Sequence, residues 1–143
     1  MAFYTFLHNL KWIFKVDLKQ FETWYAKWHS IWENKDVTLI CGDRVMQHLE
    51  YNIFDNTKSL EYIYIPTCNA FDKYDSIIER AKQIDKNRLI CLIAGPTAKL
   101  LAFDMVNKGY RVLDIDHLAK DYNAYKTNMT TDAKSIGKFF EPD

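Results

Sequence analysis

The hydrophobic positions at the amino end of the chain recur with helical spacing. A first helix is predicted with one apolar face, formed by Phe3, Leu7, Leu10 and Phe14. A second helix is predicted from Asp17, which can cap it with Gln20 three residues on, to about Asn34. Its three tryptophans, Trp24, Trp28 and Trp32, lie one helical turn apart. This spacing favours a buried stripe over a platform on which sugars stack. Two amphipathic helices are therefore expected over residues 1–34.

Beyond these helices, four short apolar runs alternate with segments of helical periodicity. The runs cover residues 37–41, 60–65, 89–94 and 110–115, and the clearest helical segments are 70–84 and 98–108. Near-continuous hydrophobicity is typical of parallel strands covered on both faces. We therefore predict a Rossmann-like α/β fold with a mainly parallel sheet of about four strands and flanking helices. One domain is expected over residues 1–143, with an irregular tail at 126–143.

Composition narrows the class of protein. Lysine plus arginine and aspartate plus glutamate number 19 each, so no net field attracts nucleic acid or an anionic membrane. Charged residues interrupt the apolar positions near the amino end, which argues against a signal peptide or membrane span and leaves a membrane-surface helix as the weaker alternative. The three cysteines form no C-x-x-C pair, which indicates no zinc site and favours a reducing cytoplasm.

Right-handed crossovers bring the loops after parallel strands to one edge of the sheet, where open α/β folds bind ligands. The segment Gly95-Pro96-Thr97-Ala98 gives the best indication of a phosphate site at this edge. Backbone N–H groups and the Thr97 hydroxyl would meet a phosphate at the positive end of a helix. A plain turn with proline at the first helical position is an equally good interpretation.

Other polar side chains at this edge have both a functional and a purely structural interpretation. Asp114 and Asp116 would together bind one divalent metal that bridges a diphosphate. Structurally, they would form a solvent-facing pair or a helix cap. Arg44, in the Gly42-Asp43-Arg44 turn, suits a phosphate or a carboxylate of its own loop. Thr67 and Asn69 suit a nucleotide or sugar, or the cap of the next helix.

Several blocks stand in an order that points to a known family. They are Trp28-His-Ser-Ile-Trp32 with Lys35-Asp36-Val37, Phe54-Asp55-Asn56-Thr57-Lys58-Ser59, Pro66-Thr-Cys-Asn69-Ala70-Phe71-Asp72-Lys73-Tyr74-Asp75, Gly95-Pro96-Thr97-Ala98-Lys99, Gly109-Tyr110, Asp114-Ile115 and His117. Read together, they resemble the GT-D type glycosyltransferases, bacterial sugar transferases that build glycans on serine-rich surface adhesins. The resemblance runs from roughly Phe21 to Asp121.

This resemblance implies a domain that binds a UDP-sugar with a divalent metal, Mn²⁺ or else Mg²⁺, and transfers the sugar to a glycan acceptor. The metal would stabilise the diphosphate leaving group. The expected nucleotide-sugar contacts are Gly42, Arg44, Thr67, Asn69, Gly95, Pro96, Thr97 and His117. The expected metal ligands are Asp114, Asp116 and Asp121. No side chain is identified as the general base.

The chain also departs from the family's pattern. Family members usually carry an N-terminal R-F-G-D-G-E segment, which this sequence does not contain. The family's D-x-E metal motif falls on Ala119-Lys120-Asp121, and Asp116, where the family generally has glycine, is expected to substitute by pairing with Asp114. The alternative function is a non-catalytic relative that binds or stabilises a partner in a glycosylation complex. Another glycosyltransferase subunit, or a second copy of the chain, is the expected protein partner.

Overall fold

Strands and helices alternate along residues 18–127, which are the residues that the computed structural model describes. The apolar runs form the strands, and the amphipathic segments between them form the helices, as their periodicities require. The elements are α1 (Leu18–Trp32), β1 (Asp36–Gly42), β2 (Ser59–Ile65), a 3-10 helix (Ala70–Lys73), α2 (Tyr74–Ala81), β3 (Leu89–Ile93), α3 (Thr97–Asn107), β4 (Arg111–Asp114) and α4 (Leu118–Thr127).

The four described strands form one sheet in the order β2-β1-β3-β4, and every pairing is parallel. β1 pairs with β2 along its whole length, from Asp36 opposite Ser59 to Gly42 opposite Ile65. The other edge of β1 pairs with β3. Because the chain visits β2 on one side of β1 and then crosses to β3 on the other side, the carboxyl ends of β1 and β3 flank a topological switch point.

Each face of the sheet has its own hydrophobic cluster. On one face, α1, α4 and the connection between β1 and β2 pack against the strands around Trp32, Leu39 and Phe54. On the other face, α2 and α3 pack around Ile40 and Leu101. Burying a side chain of this size contributes roughly 1.5–3 kcal/mol to stability. The two layers explain why β1 and β3 are almost entirely buried.

Trp32 attaches helix α1 to the rest of the domain. Its indole Nε1 donates a hydrogen bond to the Ile53 carbonyl at 3.0 Å, and its ring centroid lies 4.8 Å from that of Phe54. Trp28 is half-buried against the same cluster, whereas Trp24 is 40% exposed. The predicted core role of the tryptophan stripe is therefore confirmed at Trp32 and weakens toward Trp24.

The described elements agree with the predicted ones except at helix ends. All four strands begin and end within one residue of the predicted runs. The segment predicted as one helix over residues 70–84 is a 3-10 helix followed by α2. Its first turn is a 3-10 turn because the Asp72 amide bonds the Asn69 carbonyl, three residues back, at 3.0 Å. Helix α2 then ends at Ala81. Helix α4 continues to Thr127, so the first two residues assigned to the tail are helical.

Three predictions fall on residues that the structure does not describe. They are the first amphipathic helix, the Asp17 cap and the irregular tail from residue 128 onward. Among the described helices, none is both long and apolar enough to cross a membrane.

Candidate functional site

A cleft of about 460 Å³ opens at the carboxyl edge of the sheet, over the switch point between β1 and β3. Its volume lies in the range of small-molecule sites. The lining residues are Gly42, Val45, Ile65, Pro66, Thr67, Asn69, Ala70, Phe71, Ile93, Ala94, Gly95, Pro96, Thr97, Asp116, His117, Ala119 and Lys120. The fold thus brings together seven of the eight predicted nucleotide-sugar contacts, all except Arg44.

Two glycines let the backbone border the cleft closely. A Cβ atom added to Gly42 would lie 3.1 Å from Thr67 Oγ1 and 3.3 Å from Val45 Cγ2, which is tighter than ordinary contact. Gly95 has a φ of +53°, in the left-handed region that glycine adopts at little cost. Each position therefore requires glycine for a different reason, close packing in β1 and backbone conformation after β3.

Helix α3 begins at this edge of the sheet. Thr97 is its first residue, Pro96 is the residue before it, and both line the cleft. The first turn carries no acidic side chain, so the positive end of the helix dipole favours an anion there. The Ala98 amide bonds the Gly95 carbonyl at 3.1 Å, which is the predicted turn. The turn interpretation is therefore confirmed, and the phosphate site at the start of α3 stays a prediction.

Asp114 ends β4, and Asp116 follows it in a turn. The Asp116 amide donates a hydrogen bond to Asp114 Oδ1 at 3.3 Å. Burial raises the pKa of Asp114 and the charge of Asp116 adds to the rise, while that hydrogen bond and Lys99 oppose it. Asp116 has a φ of +44°, a conformation that suits the glycine that the resemblance places there. Asp116 lines the cleft, whereas Asp114 does not.

Asp121 is buried in α4, next to two residues of the cleft wall, Ala119 and Lys120. Neither of its carboxyl oxygens has a hydrogen-bond partner in the described part of the protein. Burial raises the pKa of Asp121 to about 9; the charge of Asp116 adds to this rise and Lys120 opposes it. The Asp121 charge also contributes to raising the pKa of Tyr25, which burial raises most. Asp121 therefore lies between the cleft wall and the core.

Arg44 lies in an adjoining depression of about 500 Å³ rather than in the cleft. Asp43, Tyr64 and Cys68 line the same depression, and the segment Ile65-Pro66-Thr67 borders both spaces. The Thr67 hydroxyl donates a hydrogen bond to Asp43 Oδ1 at 3.4 Å across the boundary. The structure thus separates Arg44 from the other predicted nucleotide contacts by one short wall.

The structure places two further polar residues, Asn69 and Lys120, in the cleft wall. Asn69 occupies the N-cap position of the 3-10 helix, as the cap interpretation requires, with a φ of +53°, but its side chain makes no cap hydrogen bond. Lys120 lies in the cleft wall and places a positive charge there. Its position in the Ala119-Lys120-Asp121 segment indicated only a departure from the metal motif of the family. Helical spacing was the available signal, since Lys120 stands three residues after His117.

Comparison with known proteins identifies this architecture. Residues 3–140 match the family model for the glycosyltransferase GT-D fold. The chain belongs to the GT-D family. The resemblance drawn from the sequence blocks is thereby confirmed, and the predicted parallel α/β fold agrees with the GT-D fold.

Two curated relatives share the GT-D segment. A probable glycosyl transferase, Gly, from Streptococcus gordonii is 34% identical over 103 residues, which are 72% of this chain and 15% of that protein. The glycosyltransferase GlyD from Streptococcus pneumoniae serotype 4 is 30% identical over 118 residues, which are 82% of this chain and 14% of that protein. The chain therefore corresponds to a small part of each relative.

Solved structures give the same assignment. A structure described as domain of unknown function 1792, with a distinct glycosyltransferase fold, superposes with a TM-score of 0.74 at 30% identity, covering 79% of this chain and 41% of the other. A glycosyltransferase of the same domain type from Streptococcus sanguinis superposes with a TM-score of 0.71 at 29% identity, covering 84% of this chain and 47% of the other.

Proposed function

We propose that this GT-D domain binds a UDP-sugar in the cleft and transfers the sugar to a hydroxyl group of a glycan acceptor. The observation that carries the proposal is the convergence of the loops after β1, β2 and β3, with the start of α4, on one cleft at the switch point. Relatives described as glycosyltransferases support the transferase class. The UDP-sugar donor and the glycan acceptor are those that the family resemblance implies.

The cleft has groups that would complement the diphosphate and the base of a nucleotide sugar. A diphosphate placed against α3 would meet the amino end of the helix, the Thr97 hydroxyl and the Lys120 ammonium group. The base would pack against apolar side chains such as Val45 and Phe71. The proposal therefore assigns the phosphates to the β3 side of the cleft and the base to the β1–β2 side.

The reaction is a displacement at the anomeric carbon of the donor sugar. The bond from that carbon to the β-phosphate oxygen breaks, and its electron pair leaves with UDP. The acceptor oxygen forms the new glycosidic bond, and its proton passes to the solvent. Binding contributes most where it stabilises the negative charge that develops on UDP, which is the role proposed for the α3 amino end and Lys120.

The three predicted metal ligands are Asp114, Asp116 and Asp121. Within residues 18–127, no group of three or more histidine, cysteine, aspartate or glutamate side chains has the geometry to hold a metal. Neither buried oxygen of Asp121 has a hydrogen-bond partner among the described residues, and Asp116 is close enough to raise the pKa of Asp121. Two carboxylates fit a Mg²⁺ or Mn²⁺ ion that takes its remaining ligands from a diphosphate and water. We therefore propose Asp116 and Asp121 as the ligands; the ion would stabilise the leaving diphosphate.

Thermal unfolding in the presence of nucleotide tests the proposal. UDP, UDP-glucose and UDP-N-acetylglucosamine are added with Mn²⁺ or with a chelator, and GDP-mannose serves as the base control. A ligand at about one hundred times its dissociation constant adds roughly 2.7 kcal/mol to the free energy of unfolding, which raises the Tm by several degrees. Thr97→Val should reduce this shift, whereas Thr127→Val, at the far end of α4 and outside the cleft, should not.

The outcomes separate the two functions under consideration. A shift with a uridine nucleotide that Thr97→Val reduces supports a donor site in the cleft. A shift of equal size with GDP-mannose contradicts uridine selection. The absence of a shift with every nucleotide, with and without Mn²⁺, contradicts the enzyme and favours the non-catalytic, partner-binding alternative.

A further inference from the structure

Two tyrosines form an exposed aromatic pair on β2, the strand at one edge of the sheet that the described strands form. The rings of Tyr62 and Tyr64 are stacked, with centroids 5.6 Å apart and an interplanar angle of 13°. Tyr64 is 47% exposed and Tyr62 is 36% exposed. Such exposure of large rings is unusual on a parallel sheet, whose strands are normally covered on both faces. The hydrophobic core of the domain therefore does not account for this pair.

Tyr64 lies directly beside the donor cleft. It lines the depression of about 500 Å³ that also contains Asp43 and Arg44, and this depression shares the segment Ile65-Pro66-Thr67 with the cleft. For comparison, the depression on α1 that includes Trp24 is lined by Gln20, Thr23 and Lys27 and has no residue in common with the cleft. An acceptor must bring a hydroxyl group to the sugar of the bound donor, so its subsite has to adjoin the donor cleft.

We propose that the depression formed by Tyr64, Arg44 and Asp43 is the acceptor subsite and binds one sugar ring of the glycan by stacking on Tyr64. This inference rests on the proposed function, since it assumes a donor in the neighbouring cleft. A pyranose has a face of C–H groups, which are attracted to the negative face of an aromatic ring, and a rim of hydroxyl groups. Arg44 supplies donors and Asp43 supplies acceptors for such hydroxyls.

The surroundings of Tyr64 favour a small sugar over an added peptide strand. The Tyr64 carbonyl already accepts a hydrogen bond from Arg80 Nη1 at 2.7 Å, so the backbone of the edge strand is occupied at this point. Tyr62 covers one face of the Tyr64 ring and helps to hold it in place. A ring held in this way loses little conformational entropy when a sugar binds.

Saturation-transfer NMR on the full chain tests the proposal, with four probe sugars in the presence of saturating UDP. The probes are methyl β-glucoside, methyl β-N-acetylglucosaminide, methyl β-galactoside and lactose. At least one should receive saturation on the C–H groups of one ring face. Tyr64→Leu should weaken its binding by about threefold to tenfold, the equivalent of about 0.7–1.4 kcal/mol, and Tyr64→Phe should restore it. Trp24→Leu is the matched control and should bind the sugar like the unaltered chain.

The affinity for UDP distinguishes failure of this inference from failure of the proposed function. Tyr64→Leu should bind UDP with unchanged affinity, which also shows that the variant is folded. If UDP binds but none of the four sugars does, or if Tyr64→Leu binds the sugar normally, the acceptor subsite is wrong and the donor cleft stands. If Trp24→Leu weakens sugar binding instead, the sugar binds on α1. If UDP itself does not bind, both proposals fail.

Discussion

The Asp121 carboxyl group is buried near Asp116, and neither of its oxygens accepts a hydrogen bond from any described residue. A carboxyl group in that position resists ionisation, because its charge would face low-dielectric surroundings and a second negative charge. The ionised form of Asp121 therefore destabilises the fold, and a cation bound beside both carboxylates would offset this effect. Its behaviour with pH and with metal follows from the two carboxylates together.

The pH dependence of stability should reveal Asp121. Its pKa is about 9 in the folded chain and about 3.9 in an unfolded one, so the folded chain binds the extra proton between these values. This group therefore makes stability fall as pH rises from about 4 to about 9. Asp121→Asn should remove that slope and raise the free energy of unfolding at pH 8 by several kcal/mol, since each pH unit between the two pKa values corresponds to about 1.4 kcal/mol. Urea denaturation at pH 5 and pH 8 measures both effects.

Glu50→Gln, at an exposed position, is the control for loss of one carboxylate. Mn²⁺ should stabilise the unaltered chain with UDP more at pH 8 than at pH 6, since binding must displace the Asp121 proton. An Asp121→Asn variant that keeps both the pH slope and the metal response would contradict the assignment.

Gly42 and Gly95 should respond differently to alanine. Gly95→Ala places a Cβ atom in open space but forces a positive φ on a side-chain-bearing residue, so it should destabilise the chain by roughly 1–2 kcal/mol. Gly95→Asn should cost less, because asparagine tolerates that conformation. Gly42→Ala instead crowds Thr67 at 3.1 Å, and should weaken UDP binding more than stability. Denaturant unfolding and UDP titration of the three variants separate strain from crowding, and equal effects at both glycines would refute the distinction.

Arg88 should be a large contributor to stability at the opposite edge of the sheet. Its guanidinium donates hydrogen bonds to Thr38 Oγ1 at 2.8 Å, to Ser59 Oγ at 3.0 Å and to the Val37 carbonyl at 2.5 Å. Arg88→Met leaves the buried Thr38 hydroxyl without this donor and should reduce the free energy of unfolding by about 2–4 kcal/mol.

Arg111→Met is the matched control, because Arg111 is exposed and donates a hydrogen bond to the Asn87 carbonyl at 2.7 Å. That variant should lose less than about 1 kcal/mol. Equal losses for the two arginines in urea denaturation would show that the Arg88 bonds add nothing to the folded state.

The three thiols should differ in reactivity. Burial raises the pKa of Cys41 to about 12, with a contribution from the Asp43 charge, and burial raises the pKa of Cys91 to about 12. Cys68 is exposed beside the donor cleft. A disulfide reagent should therefore modify one thiol of the folded chain at pH 8 and all three in urea. Rapid modification of two or three thiols without denaturant would contradict the packing of β1 and β3.

The sequence predicted the strands well because each is a short apolar run bounded by turn residues. Burial of β1 and β3 on both faces leaves a continuous hydrophobic signal, which periodicity detects. Helix ends were less predictable: the end of α2 at Ala81 and the continuation of α4 to Thr127 depend on packing and local turns rather than on composition.

The cleft was predictable from topology more than from individual residues. Once four parallel strands were expected, the loops at Gly42, Thr67 and Gly95 had to share one edge. The position of Arg44 beyond the Ile65-Pro66-Thr67 wall, and the burial of Asp121, depend on how the loops and α4 pack. Spacing along the chain carries no information on such contacts.

Not every block that carried the family resemblance belongs to the cleft. The Asn56 amide Nδ2 bonds the His29 carbonyl at 3.1 Å, and Trp32 bonds the Ile53 carbonyl at 3.0 Å, so those segments join α1 to the loop before β2. Those segments belong to the scaffold of this chain, whereas the segments at Gly95 and His117 line the cleft. A resemblance spread over both kinds of residue supports the fold more strongly than it supports the site.

The most direct test of the account is to map the UDP site by NMR. Amide resonances of the isotope-labelled chain are followed during titration with UDP in the presence of Mg²⁺. The account predicts saturable shifts that cluster at Gly42, Thr67, Gly95, Thr97 and His117, with no comparable change near Arg88 at the opposite edge. Shifts confined to residues outside the cleft, or no saturable shift at all, would contradict a donor site at the β1–β3 switch point.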